Sequence, residues 1–334
     1  MKKTVSLITA LVLLISALLV FSSCQEPTVS ESFFAMDTYM TITVPKSKRN
    51  AATKAMQRVF ELDSLFSPSK EGSDIYKLNR ANGEAVTVSP ETAMLIKKAE
   101  DMRAVLPAFD ISLYGVILLW GFESTPKVPE QSAISAEMQK KNSGRIIIDG
   151  LTVTLTGGIK INLAAIAKGY ASDEVKRILT AEGVTSAIIN LGGNVCVMGK
   201  KANGQSYRVG IRLPYSQSES VAILEDTEGF YVTSGCYERY FEENGKEYCH
   251  ILNPETGEPP ETDLLSVTIV GEFGTDADVL STAFFVMGSA ASLEFLNENK
   301  LCEAVFITKN REIIVTSGLK GKITVLNTDY FLKG

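Results

Sequence analysis

Tyr237-Glu238-Arg239-Tyr240-Phe241-Glu242-Glu243-Asn244-Gly245-Lys246-Glu247-Tyr248-Cys249-His250-Ile251-Leu252 reads as a β-hairpin around Asn244-Gly245. Asn-Gly between two aromatic-rich runs demands a two-residue type I′ turn, because both turn positions need a positive φ that Asn and Gly tolerate. The turn sets the register: Glu243 faces Lys246, Phe241 faces Tyr248, and Arg239 lies opposite His250. With period-two alternation, Tyr237, Arg239, Phe241, Tyr248, His250 and Leu252 share one face. Cys236 and Cys249 fall on the other face but out of register, too far apart for a disulfide.

Working outward, the pattern alternates between strands and helices without a regular βαβ beat. Tyr39 to Val44 reads as a strand ended by Pro45, and Ala51 to Leu65 has apolar residues at helical spacing. Ser89-Pro90-Glu91 opens a helix that Pro107 stops. Thr125 to Ser143 is polar and reads as a surface excursion. Between Arg145 and Ile161, two short β segments are expected on either side of Gly157-Gly158. A helix follows from Tyr170 to Glu182 with Gly183 as its cap, and Ser186 to Val197 is a strand broken at Gly192-Gly193. Several strands and an Asp276–Met287 helix complete the chain. This mixture predicts an α+β fold, with mixed or antiparallel sheets and packed helices.

The first 24 residues have the composition of an export signal. Lys2 and Lys3 precede an almost wholly apolar run from Val5 to Phe21, and Ser22-Ser23-Cys24 resembles a lipobox. The expectation is cleavage and lipidation at Cys24, with an uncleaved membrane anchor as the alternative. Residues 25–32 then read as a polar tether and residues 33–334 as one folded domain. The chain would be lipid-anchored at the bacterial cell membrane, facing the extracytoplasmic side.

Composition narrows the chemistry. The formal net charge of −6 over 334 residues comes without a basic stripe, which excludes a nucleic-acid partner of the usual kind. Of the five cysteines none forms a CxxC pair, so no zinc knuckle or redox dithiol is indicated. His250 is the only histidine, so any metal must be held mainly by oxygen. Asp278 and Thr282 are an i, i+4 pair on one helical face with Ser281 beside them, a sparse shell suited to Mg²⁺. The competing expectation is that Asp276 and Asp278 merely satisfy the helix N-terminus as exposed carboxylates, while Thr282 bonds back to the preceding turn. Asn162 to Tyr170 passes from a strand into a helix start, where small residues admit a ligand and Lys168 adds a positive charge. Ala108-Phe109-Asp110 offers an aromatic ring and backbone to a planar ligand.

Taken in order, these segments resemble the ApbE family of FAD:protein FMN transferases. The resemblance runs from Ala35-Met36-Asp37-Thr38-Tyr39 through Phe109-Asp110-Ile111-Ser112, Asn162–Tyr170, Asn190–Asn194 and Thr233–Phe241. It closes on His250–Gly257 and Asp276–Thr282. It implies that Met36, Ala108, Phe109, Asp110, Asn162, Lys168 and Leu252 hold FAD, the substrate. Mg²⁺ would sit on the Ala165 carbonyl, Asp278 and Thr282, with Ser281 adjoining, and His250 and Asp278 would be catalytic. The implied reaction moves FMN from FAD to a Thr or Ser hydroxyl of an exported acceptor protein and releases AMP. A FAD pyrophosphatase and a non-enzymatic FAD-binding lipoprotein are the alternatives. The chain departs from the family pattern at Asn162, commonly aspartate, at Asp37 and Ala164, commonly glycine, and at Cys249, commonly histidine.

Overall fold

The hairpin forms in the register that Asn244-Gly245 dictates. A computed structural model of the chain describes residues 26–216, 218–226 and 228–333; the export signal and Cys24 lie outside them. Tyr240–Glu243 pairs with Lys246–Cys249, Phe241 opposite Tyr248, and Asn244 and Gly245 have φ of 54° and 74°. The expectation about the cysteines is overturned: Cys236 and Cys249 form a disulfide, with Cα atoms 5.0 Å apart. The strand does not run straight back from Tyr240. Cys236–Glu238 is a 3₁₀ turn, and its shorter rise per residue swings Cys236 over the end of the hairpin.

In chain order the strands are β1 (Thr28–Ala35), β2 (Thr38–Pro45), β3 (Val86–Thr87), β4 (Ile146–Asp149), β5 (Thr152–Leu155), β6 (Ala187–Leu191), β7 (Asn194–Met198), β8 (Tyr207–Arg212) and β9 (Ser220–Asp226). They continue as β10 (Gly229–Gly235), β11 (Tyr240–Glu243), β12 (Lys246–Cys249), β13 (Leu264–Gly271), β14 (Glu303–Thr308), β15 (Glu312–Val315), β16 (Ile323–Val325) and β17 (Phe331–Lys333). The helices are α1 (Arg49–Phe66), α2 (Asp74–Arg80), α3 (Pro90–Val105), α4 (Tyr114–Trp120), α5 (Gln131–Ser143), α6 (Ala164–Ala181) and α7 (Gly274–Asn299). A nine-stranded sheet in the order β1-β2-β6-β7-β10-β13-β14-β15-β17 organises the molecule. Its neighbours are antiparallel except for the last pair, β15 with β17. The α+β class with mixed sheets therefore holds.

Boundaries move in four places. Residues 28–32, assigned to the tether, belong to β1, which pairs with β2 along its whole length. The polar stretch before Ser143 contains α5, whose anchors to the core are Ile134 and Met138, one turn apart. The two short β segments pair around Gly150-Leu151, ahead of Gly157-Gly158. Helix α7 runs on to Asn299 across a kink at Gly288, where φ is 80°.

One face of the large sheet carries α1, α6 and α7 over a continuous apolar core. The opposite face, at the β13–β15 end, is covered by the small sheet β16-β9-β8. A third cluster gathers Leu113, Val116, Trp120, Phe122 and Leu252 under the β11–β12 hairpin. There Phe241 stacks on Tyr248 at 5.3 Å between ring centroids. Trp120 Nε1 donates to the Gly257 carbonyl at 2.9 Å, which fixes the Asn253–Gly257 turn against α4. α7 is long and apolar enough to span a bilayer, yet more than half of its most apolar window is buried in this core.

Candidate active site

A cleft of about 360 Å³ opens where the β1–β2 turn, the N-terminus of α6, the ends of β10 and β12, and the start of α7 converge. Each wall has a local cause. The β1–β2 turn is only Met36-Asp37, both with positive φ (47° and 59°), because Ala35 pairs directly with Thr38. That tight tip carries Met36 into the cleft wall. Asn162 Oδ1 accepts the Ala164 N–H at 2.8 Å, and its own N–H donates to the Ile111 carbonyl at 2.9 Å. Asn162 thus makes a side-chain turn just ahead of α6 and ties it to the Ala108–Ile111 wall. Lys168 lies one turn along the helix, its Nζ donating to the Ala164 carbonyl at 3.2 Å.

The Asp110 carboxylate is spent inside the wall. It accepts from the Ser112 N–H and hydroxyl at 2.8 and 2.6 Å and pairs with Lys141 at 3.2 Å. What Asp110 presents to the cleft is backbone, beside the buried Phe109 ring.

Asp278 is where the structure speaks most directly to the two competing expectations. The N-terminus of α7 is capped by neither Asp276 nor Asp278 but by Asp173 of α6, which accepts from Gly274 N, Thr275 N and Thr275 Oγ1 at 2.6–2.8 Å. Burial raises the Asp173 carboxyl above its ordinary value, and those hydrogen bonds oppose the rise. Asp278 is released from capping and points across to α6. It is buried, at 4% exposure, and its Oδ2 accepts the Gly169 backbone N–H at 2.8 Å. No other side-chain partner of that carboxylate exists among the described residues. Glycine is required at both contact points: a Cβ on Gly169 would lie 2.2 Å from the Gly274 carbonyl oxygen, and one on Gly274 2.6 Å from the Gly169 carbonyl oxygen. Gly169 therefore serves helix–helix contact, rather than the ligand approach that its sequence neighbourhood suggests.

Thr282, one turn beyond Asp278, lines the same cleft, as does Ala165 in the first turn of α6, and the Thr282 hydroxyl donates back to the Asp278 carbonyl at 3.3 Å, as the competing expectation had it. Ser281 does not line the cleft. It is fully buried behind the wall, its hydroxyl bonded to Ser234 Oγ at 2.8 Å and to the Asp278 carbonyl at 2.9 Å. Its expected place beside the metal is corrected to a link between α7 and β10. No cluster of three His, Cys, Asp or Glu side chains exists among the described residues. Asp37, Asp63, Glu123 and Glu238 also line the cleft, but where α6 meets α7 the candidate oxygen set is the Asp278 carboxylate, the Thr282 hydroxyl and the Ala165 backbone carbonyl. That set fits a hard cation that keeps waters and takes substrate oxygens, and does not fit zinc.

His250 lines the same cleft, as does Leu252. Its backbone N–H and its Nδ1 both meet the Arg239 carbonyl, at 3.1 and 3.0 Å. A carbonyl only accepts, so Nδ1 carries the proton and Nε2 is left as an acceptor. Burial, with Arg239 and Lys168 nearby, pushes the imidazole down to about 4. The ring is neutral at physiological pH. Sequence reasoning missed Asp173, and it missed the staple between Cys236 and Cys249. No local pattern signals either, because both depend on how separate segments meet in the folded chain.

Residues 36–306 match the model of the ApbE family. The chain is 32% identical over 287 residues to a protein of Klebsiella pneumoniae named FAD:protein FMN transferase, covering 84% of this chain and 89% of that one. A Treponema pallidum protein of the same name is 32% identical, with 86% of each chain covered. Among solved structures, the ApbE protein of Thermotoga maritima superposes with a TM-score of 0.82 at 29% identity, over 89% of this chain and 99% of its own. The flavin transferase ApbE of Vibrio cholerae does so with 0.78 at 25% identity, over 88% and 98%.

Proposed function

The chain belongs to the ApbE family, and from that premise we propose that it is a FAD:protein FMN transferase that moves FMN from FAD to a Thr or Ser hydroxyl of an exported protein and releases AMP. The observation that carries this reading is that the buried Asp278, Thr282 and a neutral His250 all line one cleft. Mg²⁺ fits the donor set of Asp278, Thr282 and the Ala165 carbonyl, and when bound it would neutralise pyrophosphate charge and stabilise the leaving AMP. Met36, the Ala108–Asp110 backbone with Phe109, Asn162 and Leu252 form the enclosing surface for FAD. Lys168, in the second turn of α6, supplies positive charge to hold the negative charge of the substrate. The Gly169 N–H bond to Oδ2 holds the Asp278 carboxyl in one orientation, which pre-sets the site before ligand arrives.

His250 Nε2 takes the proton of the attacking hydroxyl. With the ring neutral at working pH the acceptor is always available, and Nδ1–H on the Arg239 carbonyl keeps the ring aimed. The oxygen attacks the FMN phosphorus, the bond to AMP breaks, and a phosphoester links flavin to protein. The composition of residues 1–24 supports lipid anchoring through Cys24 on the extracytoplasmic face, where an exported acceptor is within reach.

The test is incubation of residues 25–334 with FAD, Mg²⁺ and an exported acceptor domain, followed by separation of products. Fluorescence that stays on the acceptor under denaturing conditions supports transfer. Free FMN with AMP and no labelled acceptor would make the protein a hydrolase, and unchanged FAD a binder.

A further inference from the structure

The disulfide joins the two segments whose contact orients His250. Cys236 opens the 3₁₀ turn that ends at Glu238, and Arg239 follows it; Cys249 immediately precedes His250. Four neighbouring positions thus make a closed frame: the disulfide at one side, and at the other the Arg239 carbonyl receiving both the backbone N–H and Nδ1 of His250. The 3₁₀ turn has packing restraints of its own: Cys236 lies against the main core, and the Tyr237 ring sits 5.9 Å from that of Tyr215 between centroids. Glu238 pairs with Arg212, whose guanidinium lies 4.9 Å from the Tyr237 ring centroid. Glu238 and Arg239 are exposed on the cleft rim. By contrast, the hairpin itself is held by ladder bonds and by Phe241 and Tyr248 packed on Trp120. The disulfide is the covalent tie between this turn and the strand that leads into His250.

We propose that the Cys236–Cys249 disulfide is a positioning element of the cleft, which holds the Arg239 carbonyl against His250 and so keeps Nε2 facing the acceptor hydroxyl. Its role in the reaction rests on the transferase reading; its role in orienting the imidazole does not. The bond is also a reversible control point. A dithiol reductant supplies two electrons and two protons, the S–S bond breaks into two thiols, and the reductant closes to its own disulfide. Cys236 is half-buried and within reach of such a reagent, whereas Cys249 is buried. Cys196 and Cys302, the two free cysteines among the described residues, have thiols that burial pushes up to about 12, so they do not compete as thiolates.

Because His250 is the only histidine, tag-free protein gives one imidazole signal in a ¹⁵N-resolved NMR spectrum. In the oxidised protein that signal should report the Nδ1–H tautomer. Reduction with dithiothreitol, or the double substitution Cys236→Ala with Cys249→Ala, should shift it toward the mixture of tautomers of a free imidazole. In the transfer assay the same two treatments should lower kcat about ten- to hundredfold, the size expected for a misplaced catalytic group, while KM for FAD stays within about twofold. Each single alanine variant should match the double. An unchanged tautomer in both reduced and doubly substituted protein would overturn the proposal, and so would an unchanged kcat in protein that transfers flavin. If oxidised protein transfers nothing, the tautomer alone decides, and that failure counts against the transferase reading. If the double variant does not fold, reduced wild-type protein, checked by its amide spectrum, decides the same question.

Discussion

Replacing Asp278 separates two jobs that one carboxylate performs. Asp278→Asn keeps an acceptor oxygen for the Gly169 N–H, now 2.8 Å from Oδ2, but removes the charge. Asp278→Ala removes both and leaves a buried N–H without a partner, since the site is only 4% exposed. An orphaned buried donor costs about 1–3 kcal/mol. Deleting a charge-assisted bond while retaining a neutral one costs about half as much as deleting it outright, or roughly 1 kcal/mol. The expected order of stability in urea is therefore wild type, then asparagine, then alanine, with gaps of about 1 kcal/mol each and no change in the slope with denaturant. Activity should follow a different order. Both variants lose the only carboxylate in the cleft's cation set, so both should fall at least about a hundredfold in Mg²⁺-dependent transfer. The measurement is a pair of urea melts and a transfer assay over a Mg²⁺ titration. If Asp278→Asn keeps wild-type transfer, or if it is lost only in proportion to stability, the carboxylate is a structural acceptor and the metal argument fails. A burial this deep also corrects the expectation that Asp278 is an exposed residue at a helix start.

Gly169→Ala should cost about 1–3 kcal/mol through overpacking, because its Cβ would meet the Gly274 carbonyl and Asp278 Cβ at 2.2 and 2.7 Å; a melt matching wild type would refute the close helix contact. Asn162→Asp keeps the bond to Ala164 N and adds a negative charge at the start of α6, which should stabilise by about 0.3–1 kcal/mol. The same change should tighten Mg²⁺ or FAD binding up to about tenfold by titration, and weaker binding would mean the site is adapted to a neutral residue. The His250 imidazole should titrate near 4 by NMR, well below its ordinary value. Since the unfolded chain takes up that proton nearer 6.5, stability should fall as pH drops through the window from 6.5 to 4, and His250→Gln should flatten that slope. Cys24→Ala should yield active protein released from the membrane fraction, and full partitioning into detergent would point to the apolar segment as the anchor.

Local chemistry explains which parts of this molecule can be read from its sequence. Asn244-Gly245 specifies its turn through two φ angles, and the hairpin register follows. Ser89 caps α3 as expected, accepting from Thr92 N. The i, i+4 spacing of Asp278 and Thr282 brings both to one wall. Strand β1 is hidden because it is an edge strand whose outward Thr28, Ser30 and Ser32 look like a tether, while only Phe33 and Ala35 are buried. Helix α5 is hidden because two apolar anchors are too few to show a period. The disulfide defies a straight-strand reading because a 3₁₀ turn changes the rise per residue, and no residue in Cys236-Tyr237-Glu238 announces one. The capping of α7 by Asp173 and the Gly169–Gly274 contact are agreements between segments about a hundred residues apart, which only the assembled core expresses.

If cleavage of FAD here is coupled to labelling of a protein hydroxyl, AMP and covalent flavin must appear together. The most direct measurement counts AMP released and flavin bound covalently to the acceptor in one reaction, with metal-stripped protein titrated with Mg²⁺. The expected result is one AMP for each acceptor-bound FMN at every Mg²⁺ concentration, and neither product in EDTA. AMP accumulating without covalent flavin, or transfer persisting in EDTA, would contradict it.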